Sequence, residues 1–331
     1  MAGWDKMYTR RPVEKTPTVI GSTAGIYVGM MTNERPSGRG TFEWKTADGH
    51  FSSCSGEWGN GQLLSGQIWN GNGDVYEGAL RGFKYHGYGK LKCKNGVVYE
   101  GMFIRGKFHG EGALRSPKWV YSGQFVNGAF AYGTITGGEF SYKGRFVGFR
   151  RHGSGTQTFP DGSEYMGEFK DDEFDGFGRF QYSNGRRYTG EYRKGVKHGR
   201  GTLLYVNGSQ YVGEFQNGKE HGYGVLTYAN GLQHVGTFEN GKENGAIVVK
   251  YVDGSQYVGV FRDGEPYGSG ILNYVDGDVY EGEFQDKKPH GEGTYKYASG
   301  KVLECKYWKG ALIECKPPKT APIERGRTPS D

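Results

Sequence analysis

The sequence predicts an all-β chain: an elongated, twisted, single-layer antiparallel sheet of consecutive β-hairpin repeats. Three observations carry this. Tyr142, Tyr165, Tyr188, Tyr211, His234, Tyr257, Tyr280 and Leu303 follow one another at steps of 23 residues, each opening the same short phrase. Inside the phrase, residue types alternate with period two, the signature of a strand with two unlike faces. Composition supplies 61 glycines, 25 tyrosines and 19 phenylalanines against only 35% apolar residues. A thick core cannot form from that mixture, so burial falls to flat rings set beside glycines.

Taken in order, residues 1–25 read as a basic N-terminal tail. The array spans residues 26–310. Tyr27 and Cys54 open two degenerate units, and Tyr76, Tyr99 and Tyr121 open closer copies at steps of 23, 22 and 21. With the later series this makes twelve units and a truncated thirteenth from Leu303, where Cys305 stands in place of glycine as an atypical cap might. Residues 311–331 read as a Pro-rich, basic C-terminal tail. In the unit from Tyr211, the residues Tyr211, Gly213 and Phe215 share one face and Val212 and Glu214 the other. Gly222, Gly224, Leu226 and Tyr228 are expected to share a face on the return strand. Asn217-Gly218 and Asn230-Gly231 are strong tight-turn signals, so each unit is a hairpin and each link another. The glycines let rings such as Tyr211 and Phe215 lie flat across neighbouring strands, where a Cβ would stand in the way. At two strands per unit and ~4.8 Å per strand, twelve units predict a rod ~110 Å long before twist shortens it.

The phrase Y-x-G-x-F-x-x-G-x-x-H-G-x-G, complete at Tyr188 to Gly201 and Tyr211 to Gly224, closely resembles the MORN (membrane occupation and recognition nexus) repeat. The resemblance covers roughly residues 26 to 310. It implies the single-layer sheet, and it implies the settings in which such arrays occur: ciliary and cortical cytoskeletal proteins, plasma-membrane attachment, and positions beside catalytic domains in some lipid kinases and methyltransferases. This chain resembles the array alone. Its departures are Ser65-Gly66-Gln67 in the unit from Cys54, the short unit from Tyr121, and Ile247 for the second glycine of the unit from His234, where local bends are expected.

Several chemistries are excluded by the same pattern. A catalytic site needs unlike side chains converging on one point, whereas a repeat array delivers the same side chain at intervals, so no enzyme activity and no catalytic residue is expected. Ser154 and Ser269 are flanked by glycine but lie within strands, not on a strand-to-helix elbow. The G-x-G pairs never continue as a dinucleotide or phosphate-binding motif, and no cofactor is expected. His86, His109, His152, His198, His221 and His290 recur before glycine at one repeat position. Spaced ~10 Å apart, they cannot share a zinc whose bonds are ~2.0–2.1 Å long. They read as polar turn residues, with no metal site. Four cysteines without C-x-x-C are expected to be free thiols. No apolar run approaches the ~20 residues of a membrane helix, and the start lacks a signal-peptide core, so a cytoplasmic location is expected.

Charge is uneven. His234 to Gly300 holds eleven acidic and six basic residues, a net of −5 that leaves +11 for the rest of a chain carrying +6. In the first hairpin loop of each unit, four adjacent repeats carry basic and aromatic residues without acids: Arg81, Phe83, Lys84 and Tyr85; Arg105, Lys107 and Phe108; Phe130 and Tyr132; Phe149, Arg150 and Arg151. Arg193, Lys194 and Lys197 continue the basic character after an acidic interruption at Asp171, Asp172, Glu173 and Asp175. At ~10 Å per repeat the four loops make a cationic strip ~30 Å long, suited to an acidic protein surface or to anionic headgroups. The expected function is a non-enzymatic scaffold docking protein partners of a ciliary, flagellar or membrane-associated cytoskeletal assembly. The alternative is a peripheral tether for anionic phospholipid. An unpaired terminal strand and the acidic stretch Glu239 to Glu292 favour a homodimer through the C-terminal repeats. No recognised nucleic-acid module is present, so no nucleic-acid partner is expected.

Overall fold

The computed structural model describes residues 15–138 and 140–318. They form 27 strands in one antiparallel sheet of consecutive hairpins that is not closed into a barrel. The chain divides into two compact units, Met1–Pro160 with Phe169–Asp172, and Asp161–Glu168 with Glu173–Asp331.

One feature organises both units: a row of glycines crosses the strands, most of them directly opposite another glycine. In the first unit Gly29 faces Gly40, Gly40 faces Gly56, Gly56 faces Gly66 and Gly66 faces Gly78, and the row continues to Gly155. In the second it runs from Gly178 to Gly236, meets Ile247, resumes at Gly259 and ends at the pair Cys305 and Cys315. The opening tyrosine lies over this row. A Cβ at Gly101 or Gly112 would meet the Tyr99 side chain, and one at Gly213 or Gly224 the Tyr211 ring. The core is therefore a file of buried rings on one face, with Tyr27, Tyr76, Tyr99, Tyr165, Tyr188, Tyr211 and Tyr280 wholly enclosed.

Beyond the glycine pair the ladder slips, as at Gly213/Glu214, and frees backbone carbonyls. The tyrosine hydroxyl takes them up. Tyr211 donates to the carbonyl of Glu214 at 3.1 Å and lies 3.2 Å from that of His221. Tyr99, Tyr165 and Tyr188 reach the equivalent carbonyls of Met102, Glu168 and Glu191 at 2.9–3.0 Å. Burial pushes the hydroxyls of Tyr76, Tyr99 and Tyr142 up to about 12, further from ionisation than a free phenol. The slip also corrects one expectation. Gly222 has φ 58, and a Cβ there would meet the side chain of Glu214 instead of sharing the ring face of Gly224.

The two Asn-Gly signals fold differently. At the hairpin tip Asn217 and Gly218 both take positive φ, 51 and 81, the two-residue turn whose twist matches the strands. At the link only Gly231 does, with φ 92, while Gly231 donates to the carbonyl of Tyr228 and Leu232 donates to the Asn230 side chain. Three residues bridge the ladder there, so asparagine stays right-handed and glycine alone absorbs the bulge.

The sheet extends past both expected limits of the array. Lys15–Ile20 pairs with Thr23–Thr32, and Pro17 is tolerated because an edge strand has ladder bonds on one side only. Ala311–Lys316 pairs with Val302–Trp308, which makes the thirteenth unit a full hairpin. The expectation of four free thiols is also corrected: Cys305 and Cys315, directly opposite each other, form a disulfide, leaving Cys54 and Cys93 free. The rest of the tails lies outside the described residues.

Candidate functional site

Hairpin tips of successive repeats are tied side by side. Gly106 donates to the carbonyl of Tyr85 and Gly128 to that of Phe108; in the second unit Gly195 donates to Phe174 and Gly218 to Lys197, all at 2.8–3.0 Å. Each unit thus carries one edge lined with turns, and the basic and aromatic loop residues lie along it.

They divide into two groups. Six pack inward. The residue nine after the opening tyrosine turns to the ring face: Tyr85 stacks on Tyr76 with centroids 4.0 Å apart, and Phe108 on Tyr99 at 3.8 Å. Phe130 is fully buried between Phe125 and Phe146. Arg151 lies over Phe140, Tyr142 and Phe169 at 5.3–5.9 Å and pairs with Asp172 at 3.1 Å. Lys197 sits 5.5 Å from the centres of both Tyr188 and Phe215. Burial, and then the charge of Arg186, lower its pKa against the opposing pull of Glu220. Phe83 is carried back by a different turn, Gly82 alone having positive φ, onto Phe42, Trp44 and Trp58.

Nine remain available. Arg81, Lys84, Arg105, Lys107 and Arg150 stand exposed on the first unit's edge with Phe149, whose half-exposed ring also meets Tyr121 edge-on at 5.4 Å, and none of the five cations lies in an ion pair among the described residues. Ile104, Val126 and Val147 are exposed on the same run of tips. Arg193 and Lys194 form a shorter exposed pair on the second unit. Tyr132 is exposed on the strand Ala129–Gly137, beyond the tip.

Two further features escaped the sequence reading. On the face away from the rings, the second unit has a groove of about 590 Å³ floored by Gly190, Gly201, Gly213 and Gly224, with Phe177, Arg200 and Tyr223 beside it. These three occupy one position in successive repeats, twelve after the opening tyrosine, and reading down that column would have found them. The other feature surrounds His234. Its Nδ1 lies 2.8 Å from Oε1 of Glu243, and both side chains are buried. Burial acts to raise the Glu243 carboxyl, but the bond to His234, a backbone bond and the charges of His234 and Lys287 outweigh it and hold it below the ordinary value. The paired exchange of tyrosine for His234 and glycine for Ile247 in one repeat was its visible trace.

The family model described as MORN repeat matches residues 76–98, 99–119, 142–164, 165–186, 188–210, 211–233, 257–279 and 280–302. Among solved structures, the chain is similar to the TCP domain of SAS-4 (dCPAP) of Drosophila melanogaster, determined in complex with a proline-rich motif of Ana2 (dSTIL). The likeness has 15% identity over 48% of this chain and 90% of that one, with a TM-score of 0.32. A comparison with curated proteins returns no match.

Proposed function

The chain belongs to the MORN repeat family, and from that premise we propose that it is a non-catalytic scaffold whose first-unit turn edge docks an acidic protein surface. The observation that carries this reading is the set of exposed cations Arg81, Lys84, Arg105, Lys107 and Arg150, none in an ion pair among the described residues, repeated along tips of which the first three are tied by hydrogen bonds. Charges held in register present one pattern to a partner, and the aromatic Phe149 among them is of the kind that anchors interfaces. A cytoplasmic place in a ciliary, flagellar or membrane-associated cytoskeletal assembly follows from the settings of similar arrays, and is part of the proposal.

Anionic phospholipid is the second reading. Exposed Ile104, Val126, Val147 and Phe149 alternate with the cations, which is the composition of a surface that enters a charged headgroup layer. One experiment separates them. Reversing Arg81, Lys84, Arg105, Lys107 and Arg150 to glutamate should abolish capture of partner from a native extract, with melting temperature and β signal unchanged. Flotation on vesicles of graded phosphatidylserine content reads the lipid arm. Undiminished capture and no flotation would remove the site from this edge. Arg151 is left intact because its loss would strip a buried ring cluster of its cation.

Self-association through the C-terminal repeats is proposed on the last described strand, Ala311–Lys316, whose Leu312 and Ile313 are exposed beside Trp308. Light scattering should give a dimer mass that Leu312→Lys with Ile313→Lys reduces to a monomer. A native monomer at micromolar concentration refutes this part.

A further inference from the structure

The repeat reserves a slot against each opening ring, and the chain fills that slot in several ways. In the repeats from Tyr76, Tyr99 and Tyr165 a second ring occupies it: Tyr85, Phe108 and Phe174 lie 3.8–4.0 Å from their partners, within 15° of parallel. In the repeats from Tyr142 and Tyr188 the occupant is a cation, Arg151 or Lys197. Further along, the residue at this position is Glu220, Glu243, Pro266 or Pro289, and the chain supplies no ring.

Around His234 and Tyr257 three reductions coincide. Histidine replaces the opening tyrosine, glutamate replaces the ring nine residues on, and Pro266 stands where Tyr257 would meet a ring. The result is a cavity of about 290 Å³ within the second unit, walled by Tyr228, Tyr251, Tyr257, Phe261, Pro266 and Phe284, with His234 and Lys287 as the basic residues of its lining. Its volume lies just under the ~300–1,000 Å³ of small-ligand pockets, enough for one ring system. The Glu243 carboxylate fixes Nδ1 of the imidazole at 2.8 Å, and Nε2 makes no hydrogen bond among the described residues. Lys287 at the wall is exposed and paired with Glu265 at 3.6 Å, so it offers the cavity no free charge, and the lining is otherwise aromatic and apolar.

We propose that this cavity is a receptor for one planar aromatic ring bearing a hydrogen-bonding group at its edge, of the phenol or indole class, which stacks where the chain's own ring is missing while the polar group meets His234. The ring can come from a free small molecule or from a tyrosine or tryptophan side chain.

The test uses the full chain, with saturation-transfer NMR and calorimetric titration of indole, phenol, N-acetyl-tryptophanamide and cyclohexanol. Indole and phenol should bind saturably, and cyclohexanol at least fivefold more weakly. Pro266→Phe, which restores the ring that other repeats carry, should weaken phenol and indole at least tenfold with the β signal unchanged. Val249 also lines the cavity, and Val249→Trp fills it from another wall and serves if the first variant does not fold. N-acetyl-tryptophanamide binding as well as indole assigns the site to a protein side chain, and binding of the free rings alone assigns it to a small molecule; either supports the receptor. Failure of both rings to saturate, equal binding of cyclohexanol, or undiminished binding by a folded cavity-filled variant overturns it.

Discussion

Removing the ring of Tyr211 and adding a methyl at Gly224 are each damaging, and the repeat's geometry requires that they be far less damaging together. Tyr211 is wholly buried, and its hydroxyl serves carbonyls of Glu214 and His221. Tyr211→Ala should cost about 3–5 kcal/mol, the range for deleting a large buried ring. Gly224 has no positive φ, so alanine there meets no backbone strain, but its Cβ would fall within the Tyr211 ring. The ring has little room to retreat, because Gly213 lies against it too. Overpacking of that kind costs about 1–3 kcal/mol. In the double variant the obstruction is gone, so the sum of the single effects should exceed the double by about 2 kcal/mol, well above the few tenths expected of independent sites. Urea unfolding followed by circular dichroism measures this, with an unchanged urea slope as the check that the unfolded state is the same. Hydrogen exchange over residues 211–227 localises the loss, since a repeat array can open in parts. Additivity within about 0.5 kcal/mol would show that ring and glycine do not share the same space, and the account of the glycine row would fail with it.

Two further outcomes follow from particular contacts. Because the Glu243 carboxyl is held below its ordinary value of 4.5 in the folded chain, its contribution to stability is present above that value and is lost as pH falls through the folded one. Thermal melts should therefore steepen in their pH dependence on the acid side, and Glu243→Gln should flatten that dependence; an identical acid profile in the variant refutes the assignment. The Cys305–Cys315 bridge closes a loop with a sequence separation of 10, for which chain entropy gives about 2–3 kcal/mol, so Cys315→Ser should lower hydrogen-exchange protection across residues 302–316 while leaving residues 188–227 unchanged.

The fold was legible because the repeat states its local rules many times over. Period, alternation and Asn-Gly turns agree with one another in unit after unit, and agreement among levels is what makes a sequence specify one structure. What escaped was the slip in the ladder beyond the glycine pair. Alternation extrapolated from Gly224 placed Gly222 on the ring face, but the bulge turns it away, and nothing in a period-two pattern records a bulge. The two end strands escaped for another reason. Thr-Pro-Thr-Val-Ile and Ala311–Lys316 lie in stretches whose prolines and basic residues read as tails, although an edge strand tolerates both.

The loop residues show why a site is harder to read than a fold in such an array. From the repeat of Tyr76 to that of Tyr280, position nine holds tyrosine, phenylalanine, arginine, lysine, glutamate or proline, and by composition these look like a variable, solvent-facing column. In the structure the column faces inward, and the cations Arg151 and Lys197 stay there because the negative face of a ring attracts a cation placed over it. The variable column is thus a packing column whose occupants answer to the ring beside them. The neighbouring positions five, six and eight hold the cations that reach solvent, as Arg81, Arg105 and Lys107 do, and only the turn geometry tells the two columns apart. Where Glu243 and Pro266 enter the packing column, neither can complete the stack, and the array opens a cavity against its own aromatic core. Variation that a consensus treats as noise on the surface is, at that position, variation in what fills the core.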